Sequence, residues 1–164
     1  MEKVVHLFSF VKYDGIDSLN PRDNALLQQA RKATSLAYAP YSKFHVGAAL
    51  QLSNGIIVSG GNQENASFPA GLCAERVALA TVSSQYPECK IEAIAVSYNN
   101  KTGASERPVS PCGICRQSLA EWEQKQHFLI KLVLGGMSGE VYVIESASLL
   151  LPLAFTAGDM KKGG

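Results

Sequence analysis

No segment of this 164-residue chain approaches the ~20 consecutive apolar residues that a helical membrane span requires. Charge of one sign is also scarce: the net charge is +1 and there are no long runs of either sign, so the electrostatic footprint expected of a protein that grips a nucleic-acid backbone is missing. Internal repeats, low-complexity tracts and interdomain linkers are absent as well. Residues 4–11 are largely apolar and follow Lys3, in the manner of a secretory signal, but His6 and Ser9 interrupt them. No small-residue cleavage site follows, and Lys12-Tyr13-Asp14 comes at once. A short strand or docking arm is therefore expected there, on a cytoplasmic chain with neither a membrane nor a nucleic acid as partner. The length suits one domain with a sizeable core, and a hydrophobic fraction of 46% is that of a globular protein.

Helical and strand patterns alternate along the chain with short connections. Asn20 is a cap candidate before Pro21, and Ala25, Leu26, Ala30, Ala33 and Ala37 recur at helical spacing, which predicts a helix over 21–38 ended by Pro40. Apolar runs at 46–52 and 56–60 flank Ser53-Asn54-Gly55, a strong hairpin signal. A second helix is expected from Cys73 to before Pro87, a strand at 91–98, a helix at 112–126 and strands at 129–134 and 141–144. A short last helix should close at 149–151. This order is best satisfied by an α/β fold, a three-layer α-β-α sandwich around a five-stranded mixed sheet.

Four cysteines are unevenly placed. Cys73 opens Cys73-Ala74-Glu75, Cys112 and Cys115 share Pro111-Cys112-Gly113-Ile114-Cys115, and Cys89 stands alone between a helix and a strand. Two disulfides, or a thioredoxin-like redox pair at Cys112 and Cys115, would account for the cysteines but not for Glu75. One Zn²⁺ held by Cys73, Cys112 and Cys115 accounts for both. Three protein ligands leave a fourth position for a water whose pKa the metal lowers to about 7, and Glu75, which need not be a ligand, can carry protons beside it. Cys73 and Cys112 each fall at an expected helix N-terminus, where free amide N–H groups favour thiolate. Three thiolates around one zinc leave a charge of about −1 before any hydroxide is added, and Arg76 is the candidate to offset it. That residue inventory is the one a zinc-dependent deaminase needs.

Tyr41-Ser42-Lys43-Phe44-His45-Val46-Gly47-Ala48-Ala49, Asn62-Gln63-Glu64-Asn65-Ala66, Cys73-Ala74-Glu75-Arg76 and Pro111-Cys112-Gly113-Ile114-Cys115-Arg116-Gln117 together resemble the blocks of the cytidine deaminase family, in its order and spacing. The likeness covers roughly residues 22 to 158, and it is closest to the small, three-cysteine zinc branch. It implies a catalytic Glu75, hydrogen bonds from Arg76 to ligand sulfurs, ribose contacts from Asn62 and Glu64, and a backbone contact from Ala74 to the pyrimidine. It also implies base stacking by Phe44 and by Phe155, the latter entering a neighbouring subunit's site in a homotetramer with shared active sites.

The resemblance further implies deamination of cytidine and 2′-deoxycytidine in pyrimidine salvage. A deaminase of a modified cytosine nucleoside such as blasticidin S is the nearest alternative, and a noncatalytic zinc-stabilised interaction module is the alternative of another class. Phe68 stands where the family commonly has tyrosine. The domain is expected to span 21–158, between an N-terminal extension at 1–20 and a tail at 159–164.

Overall fold

The computed structural model describes residues 1–160; of the expected tail at 159–164, residues 161–164 lie outside the described residues. Its nine principal elements in chain order are β1 (Val11–Tyr13), α1 (Pro21–Ala33), β2 (Phe44–Leu52), β3 (Ile57–Gly61), α2 (Ala74–Gln85), β4 (Ile91–Asn100), α3 (Gly113–Gln126), β5 (Lys131–Gly135) and β6 (Val141–Ile144). The strands form one mixed sheet in the order β1-β6-β5-β4-β2-β3, in which β4 and β5 are parallel and the other neighbours antiparallel.

Side-chain alternation assigns the two faces. Leu50, Leu52, Ile94, Val96, Leu132 and Leu134 join residues of α2 and α3 in one buried cluster. The intervening Ala49, Ala93, Ala95 and Val133 pack with Leu26, Leu27 and Ala30 of α1 in another. The three expected layers are thus present.

Six strands form, where the pattern predicts five. The additional one, β1, is three residues long and exists through its pairing with β6 and the Lys12–Glu140 ion pair at 2.5 Å. So short an alternation carries little signal without its distant partner. The first helix also stops earlier than its spacing suggests. Asn20 caps it by accepting from the Asp23 amide at 2.9 Å, but after Ala33 the chain tightens into a 3₁₀ turn over Thr34–Leu36, with Thr34 Oγ1 donating to the Arg31 carbonyl at 2.8 Å. The short helix expected at 149–151 is likewise a 3₁₀ turn, Ala147–Leu150, and a further 3₁₀ turn, Ala157–Met160, follows it.

Two glycines set how closely helices lie on the sheet. A Cβ at Gly47 would sit 2.2 Å from the Ala30 carbonyl oxygen, so only glycine lets the end of α1 rest on β2. A Cβ at Gly60 would sit 2.6 Å from the Ala74 carbonyl oxygen and 2.8 Å from the Ala78 nitrogen. The first turn of α2, which follows Cys73, is therefore seated directly on β3.

The far end of α3 is fixed by buried polar bonds. Glu123 is buried and its carboxylate accepts from the amides of Ile130 (2.7 Å), Ala147 (2.9 Å) and Ser148 (3.1 Å) and from the hydroxyls of Ser146 and Ser148. Gln126 clasps Ile91 through both its backbone groups, at 2.9 and 2.8 Å. These contacts tie α3 to the starts of β4 and β5. No helix among the described residues is long and apolar enough to cross a membrane.

Candidate active site

Two helix N-termini meet at one end of the sheet. Cys73 occupies the N-cap position of α2 and Cys112 that of α3, and neither side chain caps its own helix, so both sulfurs point away from the helix backbone toward each other. Cys115, one turn into α3, is fully buried beneath them. The Cys73–Cys112 and Cys112–Cys115 sulfur separations are both 3.6 Å, and all three atoms lie within 4.8 Å of one another. Sulfurs at about 2.3 Å from a tetrahedral zinc would be about 3.8 Å apart. The spacing fits one Zn²⁺ and is far too long for a disulfide, and all four cysteines are free. Cys89 is away from this group, packed against the core cluster beneath α2 and α3.

The electrostatics of the three sulfurs suit a cation held among them. Cys73 is drawn down to about 5, first by its hydrogen bond to Cys115 and then by Cys112 and the Arg76 charge. Cys115 is pushed up, first because its thiol keeps its proton for Cys73 and then by burial and the charge of Glu75. Three thiolates this close repel unless a cation lies among them, and a divalent ion would displace the protons they otherwise share. Arg76 lies alongside. Its guanidinium donates to the Gly71 carbonyl at 3.0 Å, and its Nε is buried without a hydrogen-bond partner, which leaves a cationic donor beside the sulfur set.

Glu75 is 4% exposed and faces the same space. Burial pushes its carboxyl above the ordinary range, and the Cys73 charge adds to the effect. The residue sits in the first turn of α2, so the seating of that turn on Gly60 also places its carboxylate.

A cavity of about 780 Å³ opens over this floor. Phe44, Asn62, Glu64, Cys73, Ala74, Glu75, Arg76 and Cys112 all contribute to its wall, so the structure assembles nearly every candidate the sequence offers. The Asn62 side chain accepts from the Val46 amide at 2.8 Å and donates to the Phe44 carbonyl at 3.0 Å. Glu64 accepts from the Tyr41 and Ser42 amides at 2.9 and 3.3 Å, and its carboxyl is lowered, chiefly by the Ser42 hydroxyl. Each therefore anchors the 41–46 segment that presents Phe44, while retaining hydrogen-bonding capacity toward the cavity.

Phe44 stacks on Tyr98, with ring centroids 4.8 Å apart and planes 19° from parallel. Tyr98 is a support the sequence reading misses, because only the β2–β4 pairing brings the two rings together. Tyr41, Leu72, Val109 and Ile114 are further wall residues without an assigned role in the sequence reading. Phe68 lies at the rim, 77% exposed and edge-on to Tyr41. Phe155 is not brought into this cavity. It is 60% exposed on the segment that follows the 3₁₀ turn Ala147–Leu150.

The description "Cytidine and deoxycytidylate deaminase zinc-binding region" matches residues 20–131. A cytidine deaminase of Halalkalibacterium halodurans is 42% identical over 82% of the chain and 95% of its own length. The crystal structure of cytidine deaminase from Burkholderia pseudomallei superposes with a TM-score of 0.68 at 38% identity, covering 84% of this chain and all of that one. A blasticidin-S deaminase of Bacillus cereus is more distant, at 29% identity over 85% of the chain and 96% of its own length.

Proposed function

The chain belongs to the cytidine and deoxycytidylate deaminase family, and on that footing we propose that it hydrolyses the C4 amino group of free cytidine and 2′-deoxycytidine, giving the uracil nucleoside and ammonia. The observation that carries the reading is the buried Glu75 carboxylate beside three sulfurs spaced for one metal, at the floor of a cavity large enough for a nucleoside. Cys73, Cys112 and Cys115 would hold the zinc. When bound, it supplies a water acidified to near neutral pH and a Lewis acid beside C4.

The chain's own residues then do the rest. Glu75 takes a proton from the attacking water and delivers it to ring N3, then takes the remaining proton of the new C4 hydroxyl and passes it to the amino group, so that the C4–N bond breaks, ammonia leaves and C4 keeps a carbonyl. A raised carboxyl suits that two-way traffic, because the group must accept and release a proton in one cycle. The Ala74 amide, at the first position of α2 and without an intrahelical acceptor, would donate to the pyrimidine carbonyl. Phe44, held flat by Tyr98, offers a face for the base, and Asn62 and Glu64 offer polar groups for the ribose.

Phe155, with Leu153 exposed beside it, is assigned to a neighbour's cavity in a homotetramer with shared active sites. Residues 21–158 form the catalytic unit and 1–20 its extension. A free nucleoside substrate suits a role in pyrimidine salvage, which this reading assigns to the cytoplasm. The likeness to a blasticidin-S deaminase supports a second reading, in which a modified cytosine nucleoside is the substrate. Incubating the purified protein with cytidine, deoxycytidine, cytidine monophosphate, cytosine and blasticidin S, and measuring ammonia, decides between them. Release from blasticidin S alone would replace the first reading by the second.

A further inference from the structure

The chain after the 3₁₀ turn Ala147–Leu150 has very little to hold it. Leu153 has a left-handed φ of 58°, Phe155 is exposed, and the hydrogen bonds within 152–160 join Thr156 to Asp159. Among the described residues, one hydrogen bond ties 152–160 to the rest of the chain: Gln117 Nε2 donates to the Phe155 carbonyl at 2.8 Å. Just upstream, the neighbouring Arg116 donates from Nε to the Pro111 carbonyl at 2.8 Å and from its guanidinium to the Leu150 carbonyl at 3.2 Å. Both residues stand directly after Cys115 on α3. The helix that bears two of the three sulfurs is thus also the mast to which the Phe155 segment is tied.

From this geometry we infer that Gln117 is a positioning residue for nucleoside binding: its amide fixes the backbone at Phe155 and so aims that ring. The inference rests on the assignment of Phe155 to a shared site. The Phe155 carbonyl is pinned two residues after the left-handed Leu153 and two before the 3₁₀ turn Ala157–Met160, so this bond limits the backbone rotation that aims the ring of the same residue. Gln117 does not line the cavity, and its side-chain amide donates to the Phe155 carbonyl.

The test is a double-mutant cycle on the zinc-loaded enzyme, with KM and kcat for cytidine read separately. Gln117→Met keeps length and helix propensity but donates nothing, and should raise KM roughly three- to tenfold, the equivalent of one lost hydrogen bond, with kcat, zinc content and thermal midpoint unchanged. Gln117→Lys restores a donor of similar reach and should return KM toward the wild-type value. In a Phe155→Ala background, Gln117→Met should change nothing further. A merely structural Gln117 would lower the thermal midpoint and cost activity equally in both backgrounds, and that result overturns the inference. If Phe155→Ala raises KM while Gln117→Met does not, only the Gln117 role falls. If Phe155→Ala itself is silent, the shared-site reading falls and takes this role with it.

Discussion

Glu75 and Cys73 share one end of α2, yet their surroundings drive their protons in opposite directions. Burial raises the carboxyl of Glu75, whereas the hydrogen bond to Cys115 draws the thiol of Cys73 down to about 5. These opposite shifts suit the roles proposed for the two residues, proton carrier and metal ligand. Glu75→Gln should accordingly keep zinc and the fold but lose about 10²- to 10⁴-fold in turnover, the usual worth of positioned proton transfer. Full activity in that variant, with metal content measured alongside, would remove Glu75 from the chemistry. Cys112→Ala should lose the metal, because two sulfurs cannot replace three, while Cys89→Ala, half-buried against the core and apart from the sulfur group, should retain one zinc per chain. Metal analysis of the two purified variants checks both, and an unchanged count in Cys112→Ala would sink the ligand assignment.

At the scale of elements, the site depends on how two helices are seated. The first turn of α2 lies on β3 because Gly60 has no side chain, and Gly60→Ala would force the Ala74 carbonyl outward from 2.6 Å. Overpacking of that kind costs about 1–3 kcal/mol, and here the displaced turn carries Cys73 and Glu75. The variant should therefore lose zinc affinity and turnover together with stability, as zinc titration and thermal unfolding would reveal. Helix α3 is seated from its other end. Glu123→Ala strips an acceptor from three amides, two of them buried, and from two hydroxyls, and each buried donor left orphaned costs about 1–3 kcal/mol. Its denaturant midpoint should fall steeply, whereas zinc content per folded molecule should not change, since Glu123 is remote from the sulfurs. A normal midpoint would show that water satisfies those amides instead.

For the whole molecule, metal and assembly are the open couplings. A chelator should lower the thermal midpoint, because the folded chain alone presents three converged thiolates, and zinc should restore it. Phe155→Ala and Glu75→Gln subunits, each impaired, should partly recover activity when mixed under conditions that permit exchange, since a hybrid cavity can take Glu75 from one chain and Phe155 from another. No recovery in mixtures proven to exchange would leave Phe155 without a catalytic role.

The cysteine spacing, the adjacent Glu75 and the 3.6- and 2-residue periodicities were readable in the chain, because a metal site of this kind draws its ligands from helix ends and its layers from local apolar patterns. Local signals could not report what depends on distant partners. The pairing of β1 with β6 adds a sixth strand, the stacking of Tyr98 under Phe44 needs the β2–β4 register, and the close seating of the end of α1 needs Gly47 on β2. The same holds for Gln117 and Phe155, which are 38 residues apart and meet only across the surface of α3. Residue types and their spacing determined which chemistry this chain can do; the tertiary structure decided which side chains are held still enough to do it, because that restraint comes from contacts between segments far apart in sequence.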